Sequence, residues 1–272
     1  MRSGRWIALA FVAIVLAYAA FRIFVHSSHL LQPALVTPQM DARQALSPSL
    51  DARLKRLLHD RVGYERGGRP KLIALTFDDG PYPIFTPLLL DELKRLGVHA
   101  TFFLIGRDAE QWPELTRRIR SDGNEIADHT YSHPNLDQES PAAVRSEILR
   151  GRDVLWSLSH DLGTRKFFRP PHGRYSLSTV QVVQSLGYHL VLWTDDAGDW
   201  RTVSTQTLAG HLERYATAPE IVLLHSGRLR TVQALPEVVG RFRKAGYHFV
   251  TVGELLQAVP PLYLNHPAKH PV

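Results

Sequence analysis

Residues 71–81 read KLIALTFDDGP, and this stretch decides the fold. Leu72 to Thr76 is a short β-like run, and it breaks into Asp78-Asp79-Gly80-Pro81, where two carboxylates meet two turn formers. The same scheme recurs downstream. Strand-like runs fall at Leu72–Thr76, Ala100–Leu104, Glu125–Asp128, Lys166–Arg169, His189–Trp193, Ile221–Leu224 and His248–Val252. Helix punctuation lies between them. Thr86 is placed to N-cap a helix with Pro87 at its first position, and Gly97 to close it. Pro113 opens another that ends by Gly123, and Ser178–Gly187 and Thr231–Gly246 repeat the pattern. Alternating β and α segments specify an α/β protein with a parallel sheet. Seven strands predict a distorted (β/α)7 barrel related to the TIM barrel, whose chemistry sits on the loops leaving the C-terminal strand ends.

That expectation can be tested within the sequence. TFDDGP (76–81) follows the first run, HTYSH (129–133) the third and RPPHG (169–173) the fourth. Asp195 to Trp200 follows the fifth and His225 the sixth. Five polar clusters on one end of a barrel are not what chance placement gives.

The 272 residues, 44% of them apolar, suffice for one large core without disulfides or a structural metal. The chain has no Cys, which excludes thiol nucleophiles, zinc fingers and disulfide frameworks. A net charge of +6 is compatible with an anionic polymer or membrane surface, but Lys and Arg are dispersed and no nucleic-acid signature accompanies them. No protein partner is predicted.

Arg2 and Arg5 precede an apolar run from Trp6 to Phe21 that resumes after Arg22. A positive start followed by such a run is an export signal, here of nearly bilayer-spanning length. Residues 1–25 are therefore expected to be a signal-anchor or signal peptide, through which the chain meets a bacterial-type membrane. Residues 26–70 are expected to form a linker or stalk that includes a short basic helix at Asp51–Asp60. The catalytic domain is expected at 71–259, and a tail at 260–272. The expected location is extracytoplasmic, membrane-anchored or else released by cleavage.

His129 and His133 are four apart, and on a helical turn both imidazoles would face one ion. A catalytic divalent site uses about three protein ligands and leaves a position open. Asp78-Asp79 can complete a two-His, one-carboxylate set and leave a second carboxylate free as a base. His225, at the exit of an apolar run, is a candidate proton donor, because amide hydrolysis must protonate the leaving amine. Arg169 and Asp199 are candidate partners for the base and the acid, or else structural ion pairs. Trp200 can stack on a sugar ring or merely pack, and Trp193 reads as core.

Taken in order, TFDDGP, HTYSH, RPPHG, DAGDW and LLH resemble the polysaccharide deacetylase family, the NodB-homology group or carbohydrate esterase family 4. The resemblance covers residues 71 to 259. It implies a metal-dependent hydrolase that removes N-acetyl groups from a glycan polymer such as peptidoglycan and releases acetate. It implies one divalent metal ion, zinc foremost, with cobalt or another divalent ion as alternatives. It implies Asp78 as general base, Asp79, His129 and His133 as metal ligands, and His225 as general acid. Arg169 would position the base and Asp199 tune the acid. Trp200 would line the sugar pocket, Leu223 the wall around the acetyl methyl, and His172, by its backbone N–H, the oxyanion site. The family commonly has Tyr where this chain has His172, and Asp where it has Ser226. O-deacetylation of a polysaccharide such as xylan, or a non-catalytic glycan-binding barrel, are the rival functions.

Overall fold

The computed structural model describes residues 71–201, 204–215 and 219–258. The expected anchor, stalk and C-terminal tail lie outside these residues. Among the described residues no helix is long and apolar enough to cross a membrane.

Strand β1 (Leu72–Asp78) is the centre of the sheet, and its alternation sorts the chain into layers. Ile73, Leu75 and Phe77 face outward into a core shared with Leu89, Leu90 and Leu93 of helix α1 (Phe85–Leu96). Val238, Val239 and Phe242 of helix α7 (Leu229–Lys244) complete that side. Ala74 faces inward and packs in the barrel interior with Phe103, Ala127, Phe167 and Ile221, over Val252 and Leu255 of helix α8 (Val252–Ala258). Thr76 and Asp78 share the inward face of Ala74.

The remaining strands are β2 (Thr101–Leu104), β3 (Glu125–Asp128), β4 (Phe167–Phe168), β5 (His189–Leu190), β6 (Asp195–Asp196), β7 (Glu220–His225) and β8 (His248–Phe249). Their order is β5-β4-β3-β2-β1-β7-β6, with β8 also paired to β1, and every pairing is parallel. β7 runs along one edge of β1 from Ile73 to Asp78, while β2 and β8 divide the other edge. The sheet ends at β5 and β6, which are neighbours in sequence, so it forms an open half-barrel consistent with the distorted (β/α)7 class.

Three strand expectations need correction. Asp195–Asp196, read as loop, is a short strand paired with Val222 and Leu223. Asp is a poor strand former, so the pairing is imposed by the free edge of β7 and not by local propensity. The run at His189–Trp193 stops at Leu190, and the carbonyls of Val191 and Leu192 go to Arg169 instead of a neighbouring strand. The run at His248–Val252 stops at Phe249, because Thr251 and Glu254 form a reciprocal cap that starts α8: the Thr251 N–H donates to the Glu254 carboxylate and the Glu254 N–H to the Thr251 hydroxyl.

The helices also differ in detail. Gly97 closes α1 in the left-handed conformation, as its position predicts, but the helix starts at Phe85 and the Thr86 hydroxyl accepts the N–H of Tyr82. Helix α3 (Pro113–Ser121) falls within its expected span and α5 (Leu177–Ser185) starts one residue before its own; between them lies the longest described helix, α4 (Pro141–Ser159), which is not among the expected elements. Its signals are present in the sequence: Ser140 caps it, Pro141 opens it, and Val144, Ile148, Gly151 and Leu155 repeat at helical spacing on the buried face. Helices α2 (Gly106–Gln111) and α6 (Thr205–Tyr215) complete the set.

Candidate active site

Asp78 is the last residue of β1 and His225 the last of β7, and the two are register partners. The sheet thus sets an inward carboxylate beside an inward imidazole. The chain then turns at Asp79 and Gly80, both at positive φ. A Cβ on Gly80 would lie 2.8 Å from Ser226 Oγ, so glycine is required there by contact as well as by φ. Ser226 holds the turn, its N–H donating to Asp78 O at 3.0 Å and its hydroxyl to the carbonyls of Asp78 and Asp79.

Arg169 is fully buried and crosses the interior. Its Nη1 donates to Asp78 Oδ1 at 2.6 Å and Thr76 Oγ1 at 2.7 Å, while Nε and Nη2 donate to the carbonyls of Val191 and Leu192. Its guanidinium also lies 4.0 Å from the centre of the Phe103 ring. A buried cation is tolerated only when paired and hydrogen-bonded, and this one is paired with Asp78 and donates four hydrogen bonds. Burial raises the Asp78 carboxyl above its ordinary pKa; the Arg169 charge pulls it back without cancelling the rise.

Asp79, His129 and His133 converge beside this pair. One ligand atom from each lies within 4.8 Å of the others, and His133 Nε2 is 3.3 Å from Asp79 Oδ1. His129 Nε2 is 3.8 Å from both Asp79 Oδ1 and Asp78 Oδ2. His129 Nδ1 donates to the Arg169 carbonyl at 2.7 Å, which leaves Nε2 as a bare lone pair aimed at the carboxylates. Burial pushes the His129 imidazole down to about 3, and burial also lowers His133 against the pull of Asp79. Neutral imidazoles with a carboxylate suit a divalent cation. The expected helical turn is absent, however. Residues 129–133 form an irregular loop with Thr130 and His133 at positive φ, so the two rings meet through loop geometry and not through i, i+4 spacing.

On the other side, Asp199 takes His225 Nδ1–H at 2.7 Å and the His225 backbone N–H at 2.8 Å, and Thr231 Oγ donates to the same carboxylate. Burial pulls the His225 imidazole down, but the hydrogen bond and charge of Asp199 override it and raise it to about 9. Nδ1 is thereby occupied, and Nε2 is the remaining ring nitrogen. Leu223, one alternation back along β7, is buried on the same inward face. Trp200 is 42% exposed, with the Arg201 guanidinium 4.5 Å from its ring centre. His172 sits at positive φ with its ring edge-on to His133, centroids 4.5 Å apart. Trp193 is half-buried against the interior cluster.

Residues 65–191 match the family model for polysaccharide deacetylase. A peptidoglycan-N-acetylglucosamine deacetylase of Bacillus cereus is 36% identical over 203 residues, covering 72% of this chain and 93% of the relative. The chain belongs to the polysaccharide deacetylase family. A chitooligosaccharide deacetylase of Azorhizobium caulinodans is 32% identical over 200 residues, covering 74% of this chain and 92% of the relative. Among solved structures, a peptidoglycan N-acetylglucosamine deacetylase in complex with a 4-naphthalen-1-yl-N-oxidanyl-benzamide superposes with a TM-score of 0.67 at 35% identity, over 69% of this chain and 89% of that one.

The chain is an enzyme of this family, a polysaccharide deacetylase. The family is metal-dependent, and the described residues of this deacetylase offer one Asp-His-His group for a cation. Two of its site residues take no role from the sequence alone. Thr76, the first residue of TFDDGP, reads as a strand residue, yet its hydroxyl accepts from Arg169 and donates to Val222 O. Ser226 reads as a minor substitution, yet it fastens the turn that bears both aspartates.

Proposed function

We propose that this deacetylase removes N-acetyl groups from an extracytoplasmic N-acetylglucosamine polymer, with peptidoglycan foremost, in a metal-dependent hydrolysis. The observation that carries the reading is the pairing of an arginine-held carboxylate with an aspartate-held imidazole across one site. Asp78 is clamped by Arg169, His225 is held by Asp199, and the Asp79, His129 and His133 cluster lies beside them. Similarity to deacetylases that act on peptidoglycan and chitooligosaccharide supports the substrate class.

Asp79, His129 and His133 would hold the cation, zinc foremost. Bound there, such an ion polarises the acetyl carbonyl and acidifies the attacking water. Asp78 takes a proton from that water, and Arg169 fixes the direction of its free oxygen. The His172 N–H would donate to the developing oxyanion. His225, charged below about pH 9, passes its Nε2 proton to the departing nitrogen, and Asp199 compensates its charge. Water and the amide become acetate and a free amine. Leu223 lines the acetyl methyl, while Trp200 and the His172 side chain meet the sugar. Export and anchoring through residues 1–25 would put this site beside the envelope polymer.

Acetate release by the full chain, metal-loaded and chelator-treated, from peptidoglycan, N-acetylglucosamine oligomers and acetylated xylan tests the reading. Chelator-sensitive release from the N-acetylated polymers supports it. Release from xylan alone would replace it with O-deacetylation, and no release from a metal-bound chain would replace it with glycan binding.

A further inference from the structure

The loop that carries both histidine ligands is in a conformation it would not hold alone. Thr130 and His133 lie at φ 69° and 65°, in the left-handed region that non-glycine residues avoid because Cβ crowds the following carbonyl oxygen. Backbone and side-chain groups on two flanking helices offset that cost. From α2, the N–H groups of Gly106 and Arg107 donate to the carbonyls of Thr130 and Tyr131, each at 2.9 Å. From α4, Glu147 supplies three acceptors. Its Oε2 takes the Ser132 N–H at 2.8 Å, its Oε1 takes the Ser132 hydroxyl at 2.9 Å, and its backbone carbonyl takes the Tyr131 N–H at 3.1 Å.

The next turn of α4 brings Gly151 to the same face, and its missing side chain admits the loop. A Cβ at Gly151 would lie 2.7 Å from Asp128 Oδ1 and 2.9 Å from the Thr130 carbonyl carbon. The space is used by an internal chain of bonds, in which Asp128 Oδ1 accepts the Thr130 N–H and Thr130 Oγ1 accepts the His133 N–H. Every N–H from Thr130 to His133 is therefore engaged, and Glu147 accounts for two of the four.

We infer that Glu147 is a positioning residue for the metal site, fixing the loop so that His129 and His133 aim at one point with Asp79. This rests on the proposed reading of those three residues as ligands. Glu147 touches none of them; it acts through Ser132 and Tyr131. The bidentate grip on the Ser132 N–H and O–H requires two acceptor atoms at this place, which Glu supplies and Gln supplies only in part.

The test is Co2+ titration of the full chain, followed by the visible d–d absorption, with kcat and KM measured in parallel. Glu147→Ala should weaken Co2+ binding by about tenfold or more, the scale of lost outer partners, and change the absorption as one imidazole moves off. kcat should fall more than KM rises. Glu147→Gln should fall between, because its amide oxygen still accepts one Ser132 donor. A folded Glu147→Ala chain with wild-type Co2+ affinity and spectrum overturns the inference. If Glu147→Ala does not fold, Glu147→Gln and Ser132→Ala decide: weakened binding in both supports the inference, and wild-type binding in both overturns it. A wild-type chain that binds no Co2+ removes the metal-site reading itself and this inference with it.

Discussion

Replacing Asp199 by Asn leaves a side chain of the same shape but removes the charge and the strongest acceptor beside His225. In the folded protein His225 is raised to about 9, although its burial works in the opposite direction. Without Asp199 the burial remains and most of the upward pull is gone, so the imidazole should titrate at or below its ordinary value of about 6.5. A displacement of ~2.5 pKa units corresponds to ~3.4 kcal/mol between the two protonation states. At pH 8 the protonated fraction would fall from ~0.9 to ~0.03, a loss of about thirtyfold from protonation alone. A cation at the adjacent aspartates cancels some of their smaller contribution, so the metal-loaded wild type should show its alkaline limb somewhat below 9. The assay is kcat/KM for acetate release between pH 5 and 10, which reports the free enzyme. The alkaline limb of Asp199→Asn should move down by roughly two units while metal content is unchanged. An alkaline limb that stays in place would refute His225 as the proton donor tuned by Asp199.

The same pair links to stability. The folded-state pKa of His225 is raised, so its contribution is complete below the unfolded value and is lost as pH climbs through about 9. Urea denaturation between pH 6 and 10 should show that loss in the wild type and little of it in Asp199→Asn. Asp78→Asn should retain metal by direct assay and lose about 100-fold or more in kcat, the usual range for a general base; undiminished turnover would remove Asp78 from that role. Glu125, the first residue of β3, is pushed up to about 7 by burial and so binds a proton more tightly folded than unfolded. Its contribution is present below the unfolded value and lost as pH rises to 7, so Glu125→Gln should raise the melting temperature at pH 8 and leave it near unchanged at pH 4. Gly151→Ala should destabilise the apo chain by about 1–3 kcal/mol, because its Cβ meets the Asp128 carboxylate and the Thr130 backbone; an unchanged denaturation midpoint would contradict the close contact.

The elements read from sequence and those read only from the structure differ in the range of the forces that make them. β1, β2, β3 and β7 stand within about a residue or two of the expected runs, because a continuous apolar run ending in turn formers is a local signal. β4, β5, β6 and β8 are two residues each, and their limits are set by what lies opposite. Asp195 and Asp196 are extended because β7 presents an edge; Val191 and Leu192 are not because Arg169 takes their carbonyls. Helix α4 was legible, since Ser140-Pro141 and the apolar spacing mark it, but attention to strands and polar clusters passes it by.

For the site, the linear chain already shows which residue types are present and that they follow strand ends, since both are properties of short contiguous stretches. It therefore singled out Asp78, Asp79, His129, His133, Arg169, Asp199 and His225. The folded structure sets who partners whom. The distance from Arg169 to Asp78 spans 91 positions in sequence and that from Ser226 to Asp78 148, and no local rule ties such residues together. It also decided that the histidine pair is held by a strained loop and a glutamate on the next helix, not by a helical turn. Spacing within five residues cannot distinguish those two geometries, because the choice is made by hydrogen-bond partners that the chain delivers only when folded.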